Sequence, residues 1–317
     1  MLRKKNIVLN GKKAAGDEVL AAGDGIRLWL SDETIGKMRG EASCGSDPAH
    51  DISSALPAEN GAGAGMKVLR YPCTDLDILY EDEHVILINK PAGMLSQKAK
   101  PDDVSLCEYL IGYLISSGQI PEESLQTVRP SVCNRLDRNT SGIVCCGKSA
   151  AGLAALSELL RTRQVHKYYH ALVMGRVRQT QRLEGYIQKD EKRNISRILP
   201  AGNRPGQGES EGNEGKRVCT IIKPLRQLSA AGRDLTLIEA QLVTGRSHQI
   251  RASLSAVGHT LVGDVKYASP EDKAYFRRIG RNCQLLHCAR MEFPKLEGAL
   301  AGLSEKTVEA ETPFTEF

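Results

Sequence analysis

No apolar run in this 317-residue sequence is long enough to cross a bilayer as a helix; the longest, such as VILI at residues 85–88, fall far short of the roughly 20 residues a span needs. A secreted disulfide framework is also missing. The nine cysteines are odd in number and spread along a long chain that opens on no secretory pattern, so reduced thiols in a cytoplasmic protein are expected. Metal-ligand spacing is absent as well: Cys145 and Cys146 are adjacent and Cys283 and Cys288 are five apart, unlike a zinc knuckle, so the expected metal is none. Without a glycine-rich phosphate loop or a cofactor box, the expected cofactor is none.

Acids are missing from two stretches of a chain whose formal net charge is only +5. Residues 1–13 carry Arg3, Lys4, Lys5, Lys12 and Lys13, and residues 161–182 carry Arg161, Arg163, Lys167, Arg176, Arg178 and Arg182, with no Asp or Glu in either. Lysine and arginine release counterions from phosphates, so such runs suit a polyanion, although a solvated face has the same composition.

The chain divides by composition. Residues 6–30 alternate short β-rich runs, IVLN and IRLWL, with Gly and Asp turns; this unit is too small to bury much core alone. Residues 36–65 are rich in Gly, Ala, Ser and Pro without apolar periodicity and read as a flexible linker. From 66 to 317 a larger body follows. DILYEDEHVILINKPAGM, 77–94, reads as a turn and a buried strand ending in a Pro-Ala-Gly loop. Residues 105–118 place Leu106, Leu110, Tyr113 and Leu114 at helical spacing behind a capping Ser105, and 149–164 form a second helix opened by Ser149. GIVCCGKS, HKYYHALVMGRV and DLTLIEAQLV read as strands, and the Gly, Asn and Glu of 189–217 suggest a mobile surface loop. Strands outnumber helices without alternating with them, which points to α+β with a mostly antiparallel sheet.

Three segments could carry chemistry. In SVCNRLDRNTSG, Asp137 lies between Arg135 and Arg138; alone this is most simply a structural ion pair. In VTGRSHQIRASLSAVGHTLVGD, 243–264, the chain leaves a strand at a Thr-Gly turn and enters a helix with Ile250 and Leu254 on one face. Arg246 and Arg251 with the helix amides suit a phosphate or carboxylate, and His248 reads as a satisfied core histidine ahead of a general base. In HKYYHALV, period-two alternation puts Lys167, Tyr169 and Ala171 on one face and Tyr168, His170 and Leu172 on the other; one tyrosine belongs in the core and the other can stack on a planar base.

NRLDRNTSG resembles the central motif of the RluA-type pseudouridine synthases, usually written HRLDxxTSG, and TGRSHQIRASLSAVGHTLVGDVKY resembles their later signature. INKPAGMLS, HKYYHALVMG and LLHCARMEFP follow in the family's order, so the resemblance, closest to RluC and RluD members, covers most of residues 66–300. It implies a pseudouridine synthase fold with a mixed, mostly antiparallel central sheet flanked by helices. It places the catalytic aspartate on Asp137, the base-stacking tyrosine on Tyr169 and the arginine paired with the aspartate on Arg246. Arg135 falls where the family has an arginine filling the space of a flipped uridine, and Asn134 stands where a histidine is usual. Residues 1–35 are similar to the second half of an S4 RNA-binding domain, implying a partial S4-like unit. The RNA contacts expected are Arg135, Arg138, His248, Arg251 and, from that unit, Arg3, Lys4, Lys5 and Lys12.

The implied reaction breaks N1–C1′ of a uridine in RNA, turns the uracil and joins C5 to C1′, with Asp137 as nucleophile at C1′ or base on the sugar. The base must leave its stack, which suits an arginine wedge and an aromatic platform. The expected partner is RNA, by analogy large-subunit (23S) ribosomal RNA, acted on by a monomer. The competing readings are the same chemistry on tRNA, a non-catalytic RNA-binding assembly factor, and a metal-free hydrolase built on Asp137 and His248. The last lacks any serine or cysteine nucleophile signature.

Overall fold

The computed structural model describes residues 71–190, 195–200 and 215–314, together with three short strands nearer the amino terminus. Those strands, β1 (Ile7–Leu9), β2 (Lys12–Lys13) and β3 (Ile26–Leu28), form an antiparallel sheet in the order β2-β1-β3. Contacts divide the chain into two units, Met1–Gly65 and Met66–Phe317. The linker expected at 36–65 lies outside the described residues, as do Arg3, Lys4 and Lys5.

The second unit is built on one large sheet. Its elements are β4 (Ile78–Glu81), β5 (Val85–Lys90), α1 (Leu106–Ser116), β6 (Ser131–Val132), β7 (Ser141–Gly147), α2 (Ala150–Arg161), β8 (His166–Met174), β9 (Gln181–Asp190), β10 (Ile195–Pro200), β11 (Lys216–Ala230), β12 (Arg233–Leu242), α3 (Gln249–Ala256), α4 (Pro270–Arg278), β13 (Leu286–Glu292) and β14 (Thr307–Glu309). The strand order is β10-β9-β11-β12-β8-β13-β7-β5-β4, with β6 added to β7 and β14 to β13. Every pairing is antiparallel except β13 with β7. The fold class is therefore α+β with a mixed, mostly antiparallel sheet flanked by helices.

Local chemistry explains the elements that hold the site. Ser105 starts α1 through a capping box: its backbone N–H and its hydroxyl both donate to Glu108, and Leu106, Leu110 and Leu114 go into the core. Ser149 Oγ accepts the Gly152 N–H at 3.0 Å and starts α2. On β8 the two faces separate cleanly. Tyr169, Ala171 and Val173 join the core beneath α1, α2 and α3, while Leu172 and Met174 join a second core with Tyr275 and Phe276 of α4. Both faces of β8 are thus covered, which makes it a central strand and a rigid platform.

Two segments expected as turn or loop contain strands; residues 191–194 and 201–214 of the second, expected at 189–217, lie outside the described residues. The turn expected ahead of the buried strand at 77–94 contains β4, which forms a hairpin with β5; Asp82 accepts the N–H groups of His84 and Val85, each at 2.8 Å, and makes the turn. The mobile loop expected at 189–217 contains the end of β9, all of β10 and the start of β11; the ISRI run of β10 pairs in register with β9 from Ile195↔Asp190 to Pro200↔Gly185. The two isoleucines of β10 favour a strand, although Gly, Asn and Glu dominate the composition around them.

Candidate active site

Asp137 sits in the loop that leads into β7, and the loop is fixed from several sides. Lys90, at the end of β5 and fully buried, donates through Nζ to the carbonyls of Pro91 (2.8 Å), Met94 (2.9 Å) and Arg138 (3.3 Å). Burial pulls its pKa down to about 8, against the pull of the Asp137 charge. Ser96 Oγ donates to the Leu136 carbonyl and accepts the Leu136 N–H, at 3.0 and 3.1 Å. Arg138, expected to touch RNA, is exposed and bonds Gly93 O through Nε at 3.0 Å. Asn134 acts as a piece of ladder: its Oδ1 accepts the Cys145 N–H at 2.7 Å and its Nδ2 donates to Ile143 O at 3.3 Å.

Register brings Tyr169 to the same place. Cys288 of β13 pairs with Gly142 of β7 on one side and with Tyr169 of β8 on the other. Gly142 has φ +108°, and a Cβ there would press into the Cys288 carbonyl, so glycine alone permits the close approach of β7 to β13. Tyr169 is 6% exposed and lines the pocket that holds Asp137, with burial raising its pKa well above the ordinary value. Tyr168 points to the other face, where it donates to Glu292 at 3.1 Å and lies under the Arg290 guanidinium.

The third wall is the turn after β12 and the start of α3. Gln249 anchors the helix to β11, donating to Cys219 O and Thr220 Oγ1 at 3.0 Å each and accepting from Thr244 Oγ1 at 2.8 Å. Two residues on, Arg251 donates from Nε and Nη2 to Asp264 at 2.7 and 2.9 Å and from Nη1 to Asp137 Oδ2 at 2.8 Å. Arg251 is 7% exposed and Asp264 1%. Burial alone would lower the Arg251 pKa, but the bonds and charges of Asp264 and Asp137 outweigh it and raise it.

The arginine that pairs with Asp137 is thus not the expected one. Arg251, expected to touch RNA, is buried between two carboxylates, and it rather than Arg246 pairs with Asp137. Arg246 is exposed at the pocket rim, where it makes no ion pair with a described residue. The physical cause is burial: Arg251 lies inside α3, which is buried from Gln249 to Leu254, while Arg246 precedes the helix in an exposed turn. Asp264 is the only acid in 243–264, and an arginine on a buried face requires one, so the pairing had a signal that the motif-based reading overrode. His248 lies with Nε2 3.7 Å from Asp137 Oδ2. Lys90, Asp264 and Tyr267 were not singled out from the sequence at all.

The cavity has a volume of about 740 Å³, within the usual range for ligand sites. Asp137 is the only acid among its lining residues, against Lys98, Arg135, Arg161, Lys167, Arg246 and Arg251. The basic run 161–182 is split by β8: Arg161 and Lys167 line the pocket, whereas Arg176 and Arg182 pair with Asp234 and Glu184 beyond the strand's other end. Of Lys12 only the backbone, in β2, is described.

A family model described as RNA pseudouridylate synthase matches residues 84–256, more than half of the chain. The chain belongs to this family. The dual-specificity RNA pseudouridine synthase RluA of Vibrio parahaemolyticus is 32% identical over 235 residues, covering 72% of this chain and 82% of that protein. The ribosomal large subunit pseudouridine synthase C of Vibrio cholerae is 28% identical over 320 residues, covering 99% of this chain and 83% of the other. Among solved structures, human RNA pseudouridylate synthase domain containing 4 has the same fold, with a TM-score of 0.56 at 20% identity over 75% of this chain and 88% of that one. The enzyme is an isomerase that converts uridine to pseudouridine within RNA, and RNA is its substrate. The RluA-type resemblance read from the motifs agrees with these relatives.

Proposed function

We propose that Asp137 is the catalytic carboxylate, that Tyr169 is the platform for the uracil, and that the enzyme acts on large-subunit ribosomal RNA. One observation carries the site assignment: a lone carboxylate, held by a buried arginine through a single oxygen, faces the same pocket as a buried tyrosine inside a rim of cations. Arg251 and His248 both approach Oδ2, and Oδ1 has no partner among the described residues, so Oδ1 is the oxygen that meets the sugar. The reaction then needs only internal exchanges. N1–C1′ breaks, C5 bonds to C1′, the C5 proton leaves and N1 ends protonated, so no atoms are gained. Arg135 would fill the gap left by a flipped base, a reading supported by its exposure at the pocket wall two residues before Asp137.

Ribosomal RNA is favoured over tRNA by the relative named for the large ribosomal subunit, which aligns with 99% of this chain, including the small amino-terminal unit. That unit carries the S4-like resemblance, and its basic residues would add phosphate contacts. The test is to map pseudouridines in cells lacking the protein and in cells supplied with the wild type or Asp137→Asn. A ribosomal site should disappear on deletion and return with the wild type alone. A missing tRNA site would redirect the substrate, and rescue by Asp137→Asn would remove the catalytic assignment.

A further inference from the structure

The segment beyond α3 reaches back under the site. Tyr267 Oη accepts the Ser196 N–H of β10 at 2.9 Å and lies 3.0 Å from His248 Nδ1. The two rings meet edge to face, with centroids 5.8 Å apart and planes at 86°, and the Arg251 guanidinium lies over the Tyr267 ring at 5.1 Å. His248 has the left-handed backbone φ 57°, ψ 17° at the start of α3, and the preceding carbonyl, Ser247 O, accepts from Ser196 Oγ at 3.1 Å. A non-glycine residue pays about 1 kcal/mol or more to stay in that region, and such outliers gather at functional sites. The strain here turns Nε2 toward Asp137 Oδ2, at 3.7 Å.

We propose that Tyr267 is a positioning residue that holds His248 neutral with its ring proton on Nε2, so that His248 and Arg251 together engage Oδ2 of Asp137 and leave Oδ1 to the uridine. Tyr267 accepts from Ser196 and turns its own hydrogen to Nδ1, which makes Nδ1 an acceptor and leaves the ring N–H on the Asp137 side. Uptake of a second proton at Nδ1 would break the bond from Tyr267 and set a full positive charge beside Oδ2, next to Arg251. The carboxylate would then be a weaker nucleophile or base, and the rate would fall. The charged groups facing His248 are Asp137 from the loop before β7, Arg251 from α3, and Asp264 and Lys266 from the segment that bears Tyr267. Burial, helped by Arg251 and Lys266 and opposed by Asp137 and Asp264, lowers the His248 pKa below its ordinary 6.5. The neutral form is therefore the one present near neutral pH.

This inference rests on the reading of Asp137 as the catalytic carboxylate. It is tested with purified enzyme and RNA tritiated at uridine C5, because the C5 hydrogen is released when C5 bonds to C1′. The profile of kcat/KM against pH is compared for the wild type, Tyr267→Phe and His248→Gln, with Asp137→Asn as the blank. Tyr267→Phe removes the donor to Nδ1 and should move the acid limb upward, with roughly a tenfold lower relative rate on the acid side for each pH unit moved. His248→Gln keeps an N–H near the Nε2 position but does not titrate, so its limb should lie below that of the wild type. Coincident limbs in all three would overturn the inference. If Tyr267→Phe unfolds, as a thermal melt would show, the position of the His248→Gln limb decides alone. Equal release by the wild type and Asp137→Asn would instead overturn the catalytic reading, and this inference with it.

Discussion

Arg251 holds Asp137 and Asp264 at once, so its loss acts on stability and on catalysis by separate routes. Arg251→Met takes the guanidinium from Asp264, 1% exposed, leaving that carboxylate only the Lys266 N–H, and should destabilise the fold by about 3–5 kcal/mol in urea unfolding. Arg251→Lys keeps a charge but has no fork to span both carboxylates; it should lose on the order of 10²-fold in kcat through misplacement of Asp137, with a smaller loss of stability. Equal, small effects of both changes would show that the bridge does not position Asp137. Lys90 gives a pH signature of its own. Its folded pKa is about 8 against an ordinary 10.5, so between those values the unfolded chain holds the extra proton. The penalty of burying the ammonium is full below about pH 8 and is lost as pH rises toward 10.5, so the wild type should gain stability over that window. The raised tyrosines, Tyr80 at about 12 among them, act in the opposite sense above their ordinary 10. Comparison with Lys90→Met isolates the lysine: the gain from about pH 8 to about 10 should be missing in the variant.

At the scale of elements, Asn134 substitutes for a strand. By bonding both Cys145 N–H and Ile143 O it extends the ladder of β7 to the residues just before Asp137. Asn134→Ala should cost about 1–3 kcal/mol in chemical unfolding, because the Cys145 N–H loses its acceptor in a buried strand, while kcat survives at temperatures where the protein is folded. A collapse of kcat with unchanged stability would assign Asn134 a part in the chemistry. Elements with strong periodicity were readable directly. Leu106, Leu110 and Leu114 announced α1, Ser149 announced α2, and GIVCCGKS, HKYYHALVMGRV and DLTLIEAQLV announced β7, β8 and β12. The hairpin arms β9 and β10 were not, since their half-buried, polar sequences carry no clear face and register alone makes them strands. The charge partner of Asp137 was misplaced for a different reason. Two arginines five residues apart look alike in a motif, and only the burial of α3 and the position of Asp264 separate them.

Over the whole molecule, charge is distributed so that one carboxylate faces the pocket from within a basic rim. Among the described residues, no carboxylate comes within hydrogen-bond distance of the rim cations Lys98, Arg135, Lys167 and Arg246, Lys98 being 3.9 Å from Glu108, whereas Arg161 is engaged by Glu158. If these contact four phosphates, roughly three counterions are released from a single strand, and a fourfold rise in salt from about 50 mM should weaken binding of single-stranded RNA on the order of 50-fold. Titrations at several salt concentrations check this, and a nearly flat dependence would remove the rim from the binding surface.

The central claim is that Asp137, presented through its free Oδ1, performs the isomerisation. Its most direct test is tritium release from C5-labelled uridine in large-subunit ribosomal RNA by the purified wild type and Asp137→Asn, with melting temperature and RNA affinity measured on the same samples. The wild type should release tritium in step with pseudouridine formed, and Asp137→Asn should bind RNA and melt normally yet release none. Release by Asp137→Asn at the wild-type rate would contradict the account.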